Sequence, residues 1–179
     1  MEILDNFIGE YYKKLKKGGT IIIFFDLWKI TPLKELMEKH KFKQIRYIEW
    51  IKTNPQPINS KINYLTNSRE IALLGIKGNK PTFNSSYDVG IYRFPMASGK
   101  NRFHPTQKNL QLFEELIKKH SNPNDIVLDT FLLPIRLCPS ILGNTVINLT
   151  FHHSSFCLCL NNYFSSQNQS LYFQYKMKR

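Results

Sequence analysis

Leu4, Phe7, Ile8, Tyr11 and Leu15 fall three and four residues apart, the spacing of one helical face, and Lys13, Lys14, Lys16 and Lys17 crowd the end of that segment. Gly18-Gly19 stops the helix. The run Thr20-Ile-Ile-Ile-Phe-Phe25 is continuously apolar, as strands covered on both faces are. Pro32 can open a second helix that carries Leu33, Leu36 and Met37 on one side. Residues 43–51 alternate toward Ile45, Tyr47, Glu49 and Ile51, which predicts a second strand. Residues 70–76 predict a third. A helix over about 107–119 uses Leu110, Phe113, Leu116 and Ile117, and Ile126-Val127-Leu128-Asp129 follows as a short strand. Helices alternating with strands predict an α/β fold whose sheet is mainly parallel.

Two stretches depart from this regularity. Residues 53–103 are loop-rich and carry Lys61, Arg69, Lys77, Lys80, Arg93, Lys100 and Arg102 against Glu70 and Asp88. Tyr64, Phe83, Tyr87, Tyr92 and Phe94 are interleaved with them. Basic residues among aromatic ones suit phosphate contact and base stacking, and equally describe a solvated loop with a few packed rings. From residue 131 onward the apolar positions follow neither a helical nor a strand period, so an irregular tail is expected over 131–179.

Charge sharpens that division. All 13 acidic residues lie at or before Asp129, and all three cysteines lie in the tail. The 179-residue chain carries a net charge of +12, which makes nucleic acid the first partner to consider. No apolar run approaches about 20 residues, so no membrane span is expected, and no basic-then-apolar signal pattern opens the chain. The reading is a cytoplasmic protein. The odd cysteine count gives no disulfide framework, and His152-His153 with Cys157 and Cys159 fit no common zinc spacing, so no metal is assigned.

Three stretches carry a specific combination: Glu49-Trp50-Ile51-Lys52-Thr53-Asn54-Pro55-Gln56-Pro57, then His104-Pro105-Thr106-Gln107-Lys108, then Asn124-Asp125-Ile126-Val127-Leu128-Asp129-Thr130-Phe131. In this order they resemble the S-adenosylmethionine-dependent DNA amino-methyltransferases that modify adenine N6 or cytosine N4. The likeness is to the subgroup that places its catalytic half before its cofactor half, and it covers roughly residues 3–131. It implies an incomplete Rossmann-like methyltransferase sheet over 1–130, with residues 53–103 as the target-recognition insert. It also implies S-adenosylmethionine as cofactor, held by His104, Pro105, Thr106, Gln107, Lys108, Asp129 and Phe131. Thr106 is then expected to cap a helix starting at Gln107. Double-stranded DNA is the implied substrate, contacted by Lys61, Arg69, Arg93, Lys100 and Arg102. An upstream methyltransferase fragment or a cognate restriction enzyme is the further partner it implies.

The chain departs from that family twice. The family's catalytic Asp-Pro-Pro-Tyr is absent, since no Pro-Pro pair occurs anywhere, and no catalytic residue is assigned. The glycine-rich loop expected after Phe131 is replaced by Leu132-Leu133-Pro134. Because the acid-free tail starts at this point, it reads as the product of a changed reading frame. The expectation is an inactive remnant. A basic non-catalytic DNA-binding module and one piece of a split enzyme stay open beside it. The resemblance places both neighbours of the 126–129 strand outside the matched region, so that strand is expected to lack partners.

Overall fold

The computed structural model describes residues 2–57, 61–98 and 107–129, with the strand segments 140–141, 144–148 and 156–161; from residue 129 onward only the backbone course is considered. In chain order the elements are α1 (Glu2–Lys14), β1 (Thr20–Phe25), a short 3₁₀ turn (Leu27–Lys29), α2 (Ile30–Lys39), β2 (Phe42–Lys52), β3 (Arg69–Lys77), β4 (Ile91–Phe94), α3 (Leu110–His120), β5 (Ile126–Asp129), β6 (Ser140–Ile141), β7 (Asn144–Asn148) and β8 (Phe156–Asn161).

The strands form a single sheet in the order β4-β2-β3-β1-β8-β5-β7-β6. The expected mainly parallel sheet is corrected to a mixed one: five of its seven pairings are antiparallel, and only β2–β4 and β5–β7 are parallel. The physical reason is connectivity. β2 returns to β3 with no helix among the described residues between them, so the pair forms antiparallel, and β3 then inserts between β2 and β1. β1, β2, β4, β5 and β7 still all point the same way, because β3 and β8 each lie reversed between two forward strands.

The described sheet is packed on both faces. Ile21 and Ile23 alternate with Ile22 and Phe24 along β1, and all four are buried. On one face α2 lies so close that a methyl added at Gly75 would sit 2.6 Å from the Met37 Cε and 3.3 Å from the Phe42 Cβ. On the other face α3 sets Phe113 against Phe24, ring centroids 5.6 Å apart. α1 buries Ile8 and Tyr11 and is tied to the end of α2 by Asp5, which bonds His40 at 2.6 Å and Lys39 at 2.5 Å. Gly18, at φ +82°, takes the left-handed turn into β1 and bonds Lys77 across it.

Three further expectations change. The helix expected from Gln107 begins at Leu110, and its cap is Asn109, not Thr106: the Asn109 Oδ1 accepts from the Leu112 N–H at 3.0 Å. Asn109 wins because its Nδ2 also donates to the Pro95 carbonyl at 2.9 Å, so one side chain serves two backbone groups. The tail, expected to be irregular, contributes β6, β7 and β8. The strand expected to lack partners, β5, pairs with β7 in parallel and β8 antiparallel. β8 also pairs with β1 and so joins the two parts of the sheet.

Candidate functional site

The forward strands β1, β2, β4 and β5 end at Phe25, Lys52, Phe94 and Asp129, which places these residues along one carboxyl edge. β3 runs the other way and begins there, with Arg69 and Glu70. Open sheets with helices on their faces take ligands at the carboxyl ends of their strands, so this is the edge to examine.

Its centre is a partly buried charge cluster. Ile48, Trp50 and Lys52 share the inward parity of β2, and all three are buried. A lysine on that parity needs an acid, and the Lys52 Nζ lies 2.9 Å from Glu70 Oε1. The ammonium of Lys108, just before the α3 cap, bonds the other oxygen, Glu70 Oε2. Aromatic faces carry both cations: Lys52 lies 5.6 Å from the centre of the Trp50 ring, and Lys108 lies 5.7 Å from that of Phe24 and 6.0 Å from that of Trp50. Burial would push the Glu70 carboxyl up, but Lys108 and Lys52 outweigh it and hold it below the ordinary glutamate range. Two cations share one carboxylate, so the cluster carries one surplus positive charge.

The segment after β4 is fastened beside this cluster. Trp50 Nε1 donates to the Phe94 carbonyl at 2.9 Å, and the Thr53 N–H donates to the same oxygen at 3.2 Å. Asn54 makes a reciprocal pair with Met96, its Oδ1 accepting from the Met96 N–H at 2.6 Å and its Nδ2 donating to the Met96 carbonyl at 3.2 Å. The family-like stretch over 49–57 thus acts through Trp50, Lys52 and Asn54, which grip β4 and the approach to α3. At the end of β1, Asp26 accepts from the Trp28 N–H at 3.1 Å and fixes a turn that leaves the Trp28 indole exposed.

A second lysine cluster lies at the far end of α3. Lys119 bonds Asp88 at 2.6 Å and Glu115 at 2.5 Å, with its ammonium 4.8 Å from the centre of the Tyr92 ring. Tyr92 donates to Asp88 at 3.0 Å, and burial pushes the Tyr92 hydroxyl pKa up. Asn84 bonds the C-terminal end of the same helix through the Lys119 and Ser121 carbonyls. Burial pulls His120 down to about 4.

Of the residues expected to hold cofactor, Gln107 and Lys108 lie at the carboxyl edge and the backbone of Asp129 ends β5 there. His104, Pro105, Thr106 and Phe131 lie outside the described residues. Of the expected DNA contacts, Arg69 and Arg93 flank Ile51 in one row across β3, β2 and β4, both exposed. Arg69 pairs with Glu49 at 3.4 Å. Lys61 is exposed, and Lys100 and Arg102 lie outside the described residues. The insert is not one basic surface: Lys77 ends β3 roughly 27 Å from Arg69, and its amine bonds the carbonyls of Tyr12 and Lys13. Glu70, Lys52 and Asn109 escape sequence reasoning as site residues. The alternation over 43–51 points to the wrong face: it favours Ile45, Tyr47, Glu49 and Ile51, whereas β2, with a register shift between Lys43 and Arg46, buries Ile48, Trp50 and Lys52 and leaves Tyr47 exposed.

A mixed α/β sheet thus carries a charged cluster and a helix start at its carboxyl edge, where such sheets take ligands. The family model described as DNA methylase matches residues 1–132, and the chain belongs to that family. The type II methyltransferase M2.MboI of Moraxella bovis is 29% identical over 138 residues, 69% of this chain and 50% of the relative. M2.DpnII of Streptococcus pneumoniae is 29% identical over 133 residues, 66% of this chain and 49% of the relative. The chain spans about half the length of the curated relatives it matches. Among solved structures, an M1.HpyAVI–SAM complex superposes with a TM-score of 0.71 at 30% identity, over 84% of this chain and 77% of that one. The cytosine-N4-specific PvuII DNA methyltransferase gives a TM-score of 0.63 over 84% of this chain and 67% of that one, and at 15% identity it shows the fold alone.

Proposed function

We propose that this chain is the cofactor- and DNA-contacting portion of an S-adenosylmethionine-dependent DNA amino-methyltransferase, acting in the cytoplasm on double-stranded DNA. The observation that carries the reading is the meeting of Lys108 and the α3 cap with the ends of β1, β2 and β5 at one edge, in a chain of the DNA methylase family. The residues present fit such a cofactor. A carboxylate finds surplus ammonium charge at Lys52 and Lys108 and the positive end of α3. His104, Pro105, Thr106, Gln107, Lys108, Asp129 and Phe131 are the residues proposed to hold it. The cofactor supplies an electrophilic methyl group, and the protein's part is to orient it against an exocyclic amine of a base turned out of the duplex. Arg69 and Arg93, with Lys61, Lys100 and Arg102, are proposed to meet phosphates.

The chain contains no Asp-Pro-Pro-Tyr, so nothing in it is assigned to accept the amine's hydrogen bonds. We therefore expect binding without methyl transfer by this chain alone. The test has two arms on the full chain: calorimetric titration with sinefungin, an unreactive cofactor analogue, and incorporation of radiolabelled methyl into mixed-sequence duplex DNA. Saturable sinefungin binding with background incorporation supports the reading. DNA binding without sinefungin binding would instead leave a basic DNA-binding module. Incorporation above background would overturn the inactive assignment.

A further inference from the structure

We propose that Glu70 is a positioning residue, which ties the segment leading into α3 to the β2–β3 pair by giving one oxygen to Lys52 and the other to Lys108. Its consequence for cofactor binding rests on the function proposed above; the tie itself does not.

Glu70 is the second residue of β3 and stands opposite Trp50 of β2. Its partners come from separate parts of the chain. Lys52 is the last residue of β2, buried, and lies over the Trp50 ring. Lys108 lies 38 residues after Glu70 in sequence and directly before the Asn109 cap. Each cation takes a different carboxylate oxygen, so Glu70 bridges them and screens them from each other. A second, neutral anchor acts one residue later, where Asn109 holds the Pro95 carbonyl. The two anchors differ in kind. Asn109 sets the helix start against the strand-end segment after β4, whereas Glu70 sets it against the body of the sheet. Charge-assisted bonds are about twice as strong as neutral ones, so the Glu70 tie is the dominant one.

Local geometry near Lys108 is then controlled by a residue that touches no ligand. Without the carboxylate, two ammonium groups face each other across a site walled by Trp50 and Phe24, and Lys108 is driven outward. Because the backbone of Lys52 is held in β2, its N–H bonding the Ser68 carbonyl, whereas Lys108 lies on the segment before α3, the displacement falls on the Lys108 side.

The test is backbone hydrogen exchange on the full chain, read at Gln107–Leu112 and, as reference, at Ile21–Ile23 in β1. Lys108→Met should speed exchange at Gln107–Leu112 about tenfold and leave Ile21–Ile23 unchanged. Lys108→Arg, which keeps a cation within reach, should restore wild-type exchange. Glu70→Gln should act at the same amides, and Glu70→Gln with Lys108→Met should exceed neither single change by more than about twofold, since both break one tie. Unchanged exchange at Gln107–Leu112 in Lys108→Met would overturn the proposal, as would an equal rise at Ile21–Ile23, which would mean general destabilisation. Sinefungin titration of the same proteins separates the two readings. Weaker binding by Glu70→Gln, which removes no proposed cofactor contact, joins the tie to the cofactor. No binding by the wild-type chain, with the exchange pattern as expected, removes the cofactor reading and leaves the tie standing.

Discussion

The two ends of α3 carry opposite solutions to the same problem. At its start, Lys52 and Lys108 share Glu70, and the cluster keeps one positive charge in excess. At its end, Lys119 is shared by Asp88 and Glu115, and the excess is negative. Both clusters lie against aromatic rings, and both fasten segments far apart in sequence. The difference is what remains unbalanced. A negative surplus beside Tyr92 and a neutral, buried His120 offers an anionic ligand nothing, and the Asn84 bonds complete it as a structural joint. A positive surplus at the carboxyl edge leaves charge for an anion. Charge sign, more than the number of ion pairs, separates the functional end of the helix from the structural one.

The largest effect expected from breaking this contrast comes from Glu70→Ala. It leaves two partly buried ammonium groups without an acid and should cost about 3 kcal/mol, read from the shift of the urea midpoint at constant slope. Lys119→Met, the matching change at the other end, should cost only about 1 kcal/mol, because Asp88 keeps its bonds from Tyr92 and the Gly90 N–H. Equal losses would erase the distinction between the clusters.

Acidification offers a second way to separate the ends. His120 has a folded pKa near 4, below its ordinary 6.5, so the unfolded chain binds the proton first. Stability should therefore fall as pH drops from about 6.5 toward 4, by on the order of 2 kcal/mol, and His120→Leu should flatten that window. Glu70 and Asp88 act lower, since both carboxyls are held below their ordinary range. Their contribution is intact above the ordinary carboxylate pKa and is lost as pH falls through the folded one. Thermal midpoints across pH 3–8 for wild type, His120→Leu and Glu70→Gln should show the histidine step disappear in the first variant alone.

The smallest effect concerns DNA. If Arg93 meets one phosphate, Arg93→Ala should lower the slope of log affinity against log salt by about 1. Lys77→Ala should leave the slope unchanged, since that amine closes the end of α1. An equal change for both would mean that net charge alone drives binding.

The sequence shows most elements because their periodicity is local. β1 is legible to the residue at Thr20–Phe25, since a continuous apolar run between Gly19 and Asp26 permits little else. β4 is missed because four residues, Ile91–Phe94, between Gly90 and Pro95 are too few to show a period. The sheet's mixed sense is not legible either: strand direction depends on which strand inserts where, and β3 inserts between β2 and β1. The Thr106 cap expectation fails for a related reason, because a distant carbonyl, Pro95, favours Asn109. At the site, Lys108 is legible as part of His104–Lys108. Glu70 is not, because its meaning comes only from two lysines that the fold brings to it.

Sinefungin titration of Lys108→Met beside Lys119→Met tests most directly whether the carboxyl edge is the binding end of the molecule. The account predicts saturable binding by the wild-type chain, about tenfold weaker binding by Lys108→Met, and no change in Lys119→Met. Affinity unchanged in Lys108→Met, or reduced equally in both, would contradict it.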